Sequence, residues 1–136
     1  MPVKITIKEL INYWKTTAAH DYDTMISLFK SKRYANTLFF GHIVLEKILK
    51  AHVVKDTKKE APYSHDLVRL CKLTNLKLSE KEIDLLDLVN DFNIRTRYPD
   101  FRFKFYKLCT KSYTEKHLDQ ITKLYKKLCQ KIQPKK

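Results

Sequence analysis

Only one glycine, Gly41, occurs in 136 residues. Glycine-rich phosphate cradles of the P-loop and dinucleotide-binding kinds need several glycines for close backbone approach, so both are excluded. Tight turns must also be few. With four prolines and long stretches of Leu, Lys, Ile and Glu, the chain suits helices rather than a sheet built on hairpins. The fold class is all-α. An apolar content of 43% at this length fits a single domain, residues 1–136, that removes roughly two-thirds of its extended-chain surface from water on folding.

Hydrophobic periodicity places five helices. The first begins at "TIKE", where Thr6 and Glu9 have the spacing of a capping box, and continues through Leu10, Trp14, Ala18, Met25 and Leu28. The second runs from about Arg33 to Val54, with Tyr34, Leu38, Leu45, Leu49 and Val53 on one stripe. Ser64 is placed as the cap of a short helix through Leu73, and Ser79 with Glu82 forms a second capping box. The fourth helix carries Ile83, Leu86, Val89 and Phe92 and should end before Pro99, because proline disfavours helical geometry at Tyr98. A loop from Asp100 to Ser112 then precedes a last helix, Thr114 to Ile132, and a basic tail, 133–136, that frays.

Three cysteines, Cys71, Cys109 and Cys129, are widely spaced and contain no C-x-x-C pair, which favours a reducing interior over a disulfide framework or a zinc site. No histidine stands with another histidine or a cysteine at helical spacing, so no metal is expected, and no cofactor. The N-terminus lacks the apolar run of a signal peptide, and no apolar stretch is long enough to cross a bilayer. The expected location is cytoplasmic. A formal charge of +13 predisposes the chain to polyanions, although a lysine-rich solvated surface has the same composition.

The order Trp14, Ala18, Asp21, Tyr34, "FFGHIVLEKILKA", "PYSHDL" and "RYPD" resembles the HEPN domain, the higher-eukaryote and prokaryote nucleotide-binding family. The likeness is to its small stand-alone prokaryotic members and covers about Lys8 to Asp100. It implies an up-and-down bundle of four long antiparallel helices plus a short one, a homodimer, and a minimal nucleotidyltransferase as protein partner in a toxin–antitoxin or two-component pair. Other members of the family are metal-independent ribonucleases with an arginine followed four to six residues later by a histidine. This chain departs from that pattern: counting from Arg95 or Arg97, no histidine stands there. Cleavage through a 2′-hydroxyl needs a group that moves protons near neutral pH, and only a remote histidine, His42, His65 or His117, would supply one.

The stretch "RTRYPD" admits two readings. As a helix end it is well made, with Asp91 and Arg95 an i,i+4 pair and cations in the last turn. As a site, Arg97 follows Asn90 and Asn93 on one stripe beside Tyr98, a guanidinium for phosphate, amides for a base and a ring to stack on one. The candidate groove comprises Arg95, Arg97, Tyr98 and Asp100, lined further by Asn93, His65, Lys50 and Asp21. His65 and Asp66 also suit the start of a helix. Glu46, Lys47 and Lys50 read most simply as a solvated face, and Asp21, if buried, calls for a partner such as Arg95 or Arg97. The functional expectation is a nucleotide- or RNA-binding module, with an RNA endonuclease of relocated chemistry and a ligand-free structural adaptor as the alternatives.

Overall fold

The structure, a computed structural model, describes residues 4–132, with Pro99, Asp100 and Phe101 described in backbone alone. Its helices are α1 (Ile7–Lys30), α2 (Tyr34–Thr57), α3 (Leu67–Lys72), α4 (Glu80–Arg97), α5 (Pro99–Leu108) and α6 (Lys111–Ile132). The expected fraying of the tail lies outside the described residues.

Both capping boxes form. Thr6 Oγ1 accepts from Glu9 N at 3.1 Å while Thr6 N donates to Glu9 Oε1 at 3.2 Å. Ser79 and Glu82 repeat the arrangement at the start of α4 at 3.2 and 2.8 Å, so each helix start satisfies two otherwise orphaned donors. The cap of α3 differs from the sequence expectation. Asp66 is the N-cap, accepting from Val68 N and Arg69 N, whereas Ser64 accepts from Asp66 N one step earlier. A carboxylate satisfies two donors and suits the positive end of the helix.

A second departure is α5, which stands where a loop was expected. Tyr98 is extended, φ −108° and ψ 127°, and closes α4 while opening α5, with Pro99 in the first turn. Proline cannot continue a helix, but its fixed φ and missing N–H suit the first helical position. The same residue that stops α4 therefore starts the next helix. Phe105 of α5 is fully buried, its ring 5.5 Å from that of Phe92.

The three-residue link between α1 and α2 forces them antiparallel, and α4 and α6 complete an up-down-up-down bundle. With a single glycine in the chain, the left-handed positions at the ends of α1 and α2 fall to lysines, Lys32 at φ 65° and Lys58 at φ 60°. α2 is the hub, packing against α1, α3, α4 and α6, and its buried face includes Leu38, Leu45, Ile48 and Leu49. α2 and α6 run in the same direction and meet at Gly41, where the missing side chain leaves room for Ile121. No helix among the described residues is long and apolar enough to cross a membrane.

Candidate functional site

Two neighbouring arrangements lie where α2 faces α4. The first is a polar seam centred on Glu46, in the middle of α2. Lys50 Nζ donates to Glu46 Oε2 at 3.0 Å, and His65 Nδ1 donates to Oε1 at 2.8 Å. His42 Nδ1 stands 3.8 Å from the same oxygen, and its Nε2 donates to the His65 carbonyl at 2.7 Å. A carbonyl only accepts, so the His42 proton resides on Nε2. Burial holds the His42 pKa below the ordinary imidazole value, with Asn90 alongside; the ring is therefore mainly neutral at pH 7. Asn90 links α4 to α3, accepting from Leu67 N at 2.9 Å and donating to Asp66 Oδ1 at 2.9 Å.

The seam corrects the reading of Glu46, Lys47 and Lys50 as a solvated face. Lys50 is only 6% exposed, its ammonium 5.1 Å from the ring centroid of Trp14 on α1. Asp21 finds its partner on α2 rather than in Arg95 or Arg97. Lys47 Nζ lies 2.6 Å from Asp21 Oδ2, a short ion contact off the angle of a hydrogen bond.

The second arrangement is a pair of adjoining clefts at the start of α2, the end of α4 and α5. One, of about 270 Å³, is lined by Asn36, Phe39, Phe40, Thr96, Arg97, Arg102 and Tyr106. The other, of about 390 Å³, adds Lys32, Arg33 and Tyr34 and shares Asn36, Arg102 and Tyr106. None of the lining residues is acidic. Asn93 is buried and its Oδ1 accepts from Arg97 Nε at 3.0 Å, which holds the guanidinium 5.8 Å from the Phe39 ring. Arg102 is oriented likewise by Tyr106, with Nη2 and Nε donating to the phenol oxygen at 3.0 and 3.3 Å.

Of the residues proposed from sequence, Arg97 and Asn93 come together here, while Lys50 and His65 meet around Glu46 and Asp21 pairs with Lys47. Arg95 does not join them. Two residues along a helix is a turn of about 200°, and Arg95 Nε instead pairs with Asp91 Oδ2 at 2.8 Å. Tyr98 is 55% exposed and lines neither cleft. The Asp100 side chain lies outside the described residues. His117 is buried, its ring 5.6 Å from that of Phe92. Sequence reasoning missed Arg102, Tyr106, Arg33 and Asn36; the legible signal was the i,i+4 spacing of Arg102 and Tyr106 in "RFKFY". Among the described residues no cluster of His, Cys, Asp and Glu is gathered to hold a metal.

The family model described as HEPN domain matches residues 11–132. The crystal structure of TT1696 from Thermus thermophilus is similar in fold, with a TM-score of 0.74 and 19% identity over 89% of this chain and 97% of that one. No curated protein matches.

Proposed function

The chain belongs to the HEPN domain family, and from that premise we propose that it is a nucleotide- or RNA-binding module whose ligand lies in the paired clefts at the α4–α5 junction. The observation that carries this reading is the set of pre-oriented guanidinium groups: Arg97 held by Asn93 beside Phe39, and Arg102 held by Tyr106. A guanidinium fork grips phosphate oxygens, and a neighbouring aromatic face accepts a base by stacking. Side chains already locked in place lose little freedom on binding. The resemblance adds a nucleotidyltransferase protein partner in a toxin–antitoxin-like pair. Self-association is supported by apolar side chains exposed around α5, Ile94, Tyr98, Phe103 and Leu108.

Fluorescence anisotropy with a labelled single-stranded RNA, and competition by ATP, tests the reading. Affinity should fall as salt rises, with a log–log slope of about −0.7 for each phosphate contact. Arg97→Ala and Arg102→Ala should each weaken binding about ten-fold, equivalent to about 1.4 kcal/mol, while Arg95→Ala changes little. Equal affinity for all three variants would refute the placement; no binding at all would leave the adaptor reading.

One observation favours a second reading, RNA cleavage without metal. Glu46 fixes His65 with the proton on Nδ1, leaving the Nε2 lone pair on a side chain that is 64% exposed, the arrangement a general base requires. RNA incubated with the protein in chelator should then be cut, and His65→Ala should abolish cutting; intact RNA ends this reading.

A further inference from the structure

The largest cleft among those described lies at the opposite end of the bundle from Arg97, between the start of α1, the end of α2 and the end of α6, with a volume of about 630 Å³. From Asn36 to Lys55 along α2 is about 28 Å, so the two sites are separate. Its floor is apolar, formed by Ile7, Ile11 and Ile132, and its rim carries Lys8, Lys15, Lys55 and Lys58. None of these four lysines makes an ion pair among the described residues.

Lys55 has a structural task, since its ammonium donates to the Lys131 carbonyl at 3.2 Å near the end of α6 and so answers the negative pole of that helix. Lys8, Lys15 and Lys58 have no such acceptor among the hydrogen bonds of the described residues. Long lysine side chains of this kind can lay their alkyl stems on apolar surface and keep the ammonium groups in water. An apolar trough with cations at its edge favours a ligand with both an apolar chain and an anionic head over neutral greasy ligands, which gain nothing from the cations, and over compact anions, which leave the trough wet. From Ile7 to Lys15 the trough runs about 12 Å, and its volume is that of a site for one small ligand.

We infer that this cleft binds an amphipathic anion, an aliphatic chain bearing a carboxylate head, with the head between Lys8 and Lys58 at one end and the chain along Ile7, Ile11 and Ile132 toward Lys15.

Methyl NMR of the full chain labelled at isoleucine, titrated with dodecanoate below its micelle concentration, tests this. Saturable shifts are expected at Ile7, Ile11 and Ile132, with Ile48 and Ile83 unmoved. The double variant Lys8→Glu/Lys58→Glu should weaken binding about ten-fold or more, and Lys15→Glu, at the far end of the trough, should weaken it less, with the spectrum otherwise folded. The inference is overturned if dodecanoate moves none of the three methyls or if both charge variants bind as well as the parent. It is equally overturned if dodecyl maltoside or a short oligouridylate produces the same shifts.

Discussion

Gly41→Ala should destabilise this protein, although the same exchange in most helix interiors stabilises. An exposed helical glycine replaced by alanine gains about 1 kcal/mol of helix propensity. A Cβ at Gly41, however, would stand 2.7 Å from Ile121 Cδ1, with Ile121 Cγ2 at 3.6 Å and Met25 S at 3.7 Å. Ile121 and Met25 are fully buried, so the offending methyl has little room to swing away. Overpacking of this kind costs about 1–3 kcal/mol, and the net for Gly41→Ala is a loss of about 0–2 kcal/mol. Ile121→Val removes Cδ1 at a cost of about 0.5–1.5 kcal/mol by itself. In the double variant the remaining contacts are ordinary, the propensity gain survives, and stability should return to within about 0.5 kcal/mol of the parent. The coupling between the two sites is then about 1–3 kcal/mol, read from urea denaturation of the four proteins. A stabilising Gly41→Ala with no coupling to Ile121 would refute the close approach of α2 and α6. Gly41 lies between Phe40, which lines the cleft, and His42, which holds the seam, so displacement of α2 by the alanine should also weaken RNA binding, and Ile121→Val should restore it.

Burial holds His42 and His52 below the ordinary imidazole value of 6.5, so the unfolded chain takes up protons that the folded chain refuses. Stability is complete above that value and falls as pH drops through and below it; the melting temperature should be lower at pH 5 than at pH 7, and His52→Gln should flatten the dependence. An unchanged slope for His52→Gln would remove that histidine from the explanation. Lys32 and Lys58 both hold left-handed backbone, which costs a side-chain-bearing residue about 1–2 kcal/mol. Lys32→Gly and Lys58→Gly should therefore each raise the melting temperature by about 4 °C, additively because the sites are far apart; a drop in either would show that the lysine side chain matters more than its backbone.

Legibility followed sequence distance. The boxes Thr6–Glu9 and Ser79–Glu82 involve residues three apart, and the Asp91–Arg95 pair one helical turn, so local spacing determines them. Pro99 was equally local but ambiguous, since proline ends one helix and begins another, and only the burial of Phe105 against Phe92 makes α5 worthwhile. The divergence of Arg95 and Arg97 was legible from helical periodicity alone. What no local pattern contains is the fate of Glu46, Lys50 and Asp21. Their burial and pairing depend on Trp14, His65 and Lys47 arriving from other segments or faces, and an exposed charged stripe has the same spacing as a buried one.

That burial decides which cations are available to a ligand. Both Glu46 oxygens are occupied, one by Lys50 and one by His65, and Lys50 is covered further by Trp14. A phosphate reaching Lys50 would have to displace a carboxylate already in contact and leave Glu46 short of a partner in a poorly solvated position, which is unfavourable. Arg97, Arg102, Arg33 and Lys32 carry no such debt, because among the described residues none of them pairs with a carboxylate. The seam works instead through geometry. Phe39, His42 and Glu46 follow one another about a turn apart on α2, and Asn90 and Asn93 do so on α4, so the contacts that fix α3 against α4 also fix the register of Phe39 beside Arg97. Substituting Lys50 or Glu46 should consequently lower stability before it reports on any ligand, whereas Arg97→Ala and Arg102→Ala remove groups at the cleft and leave the seam intact.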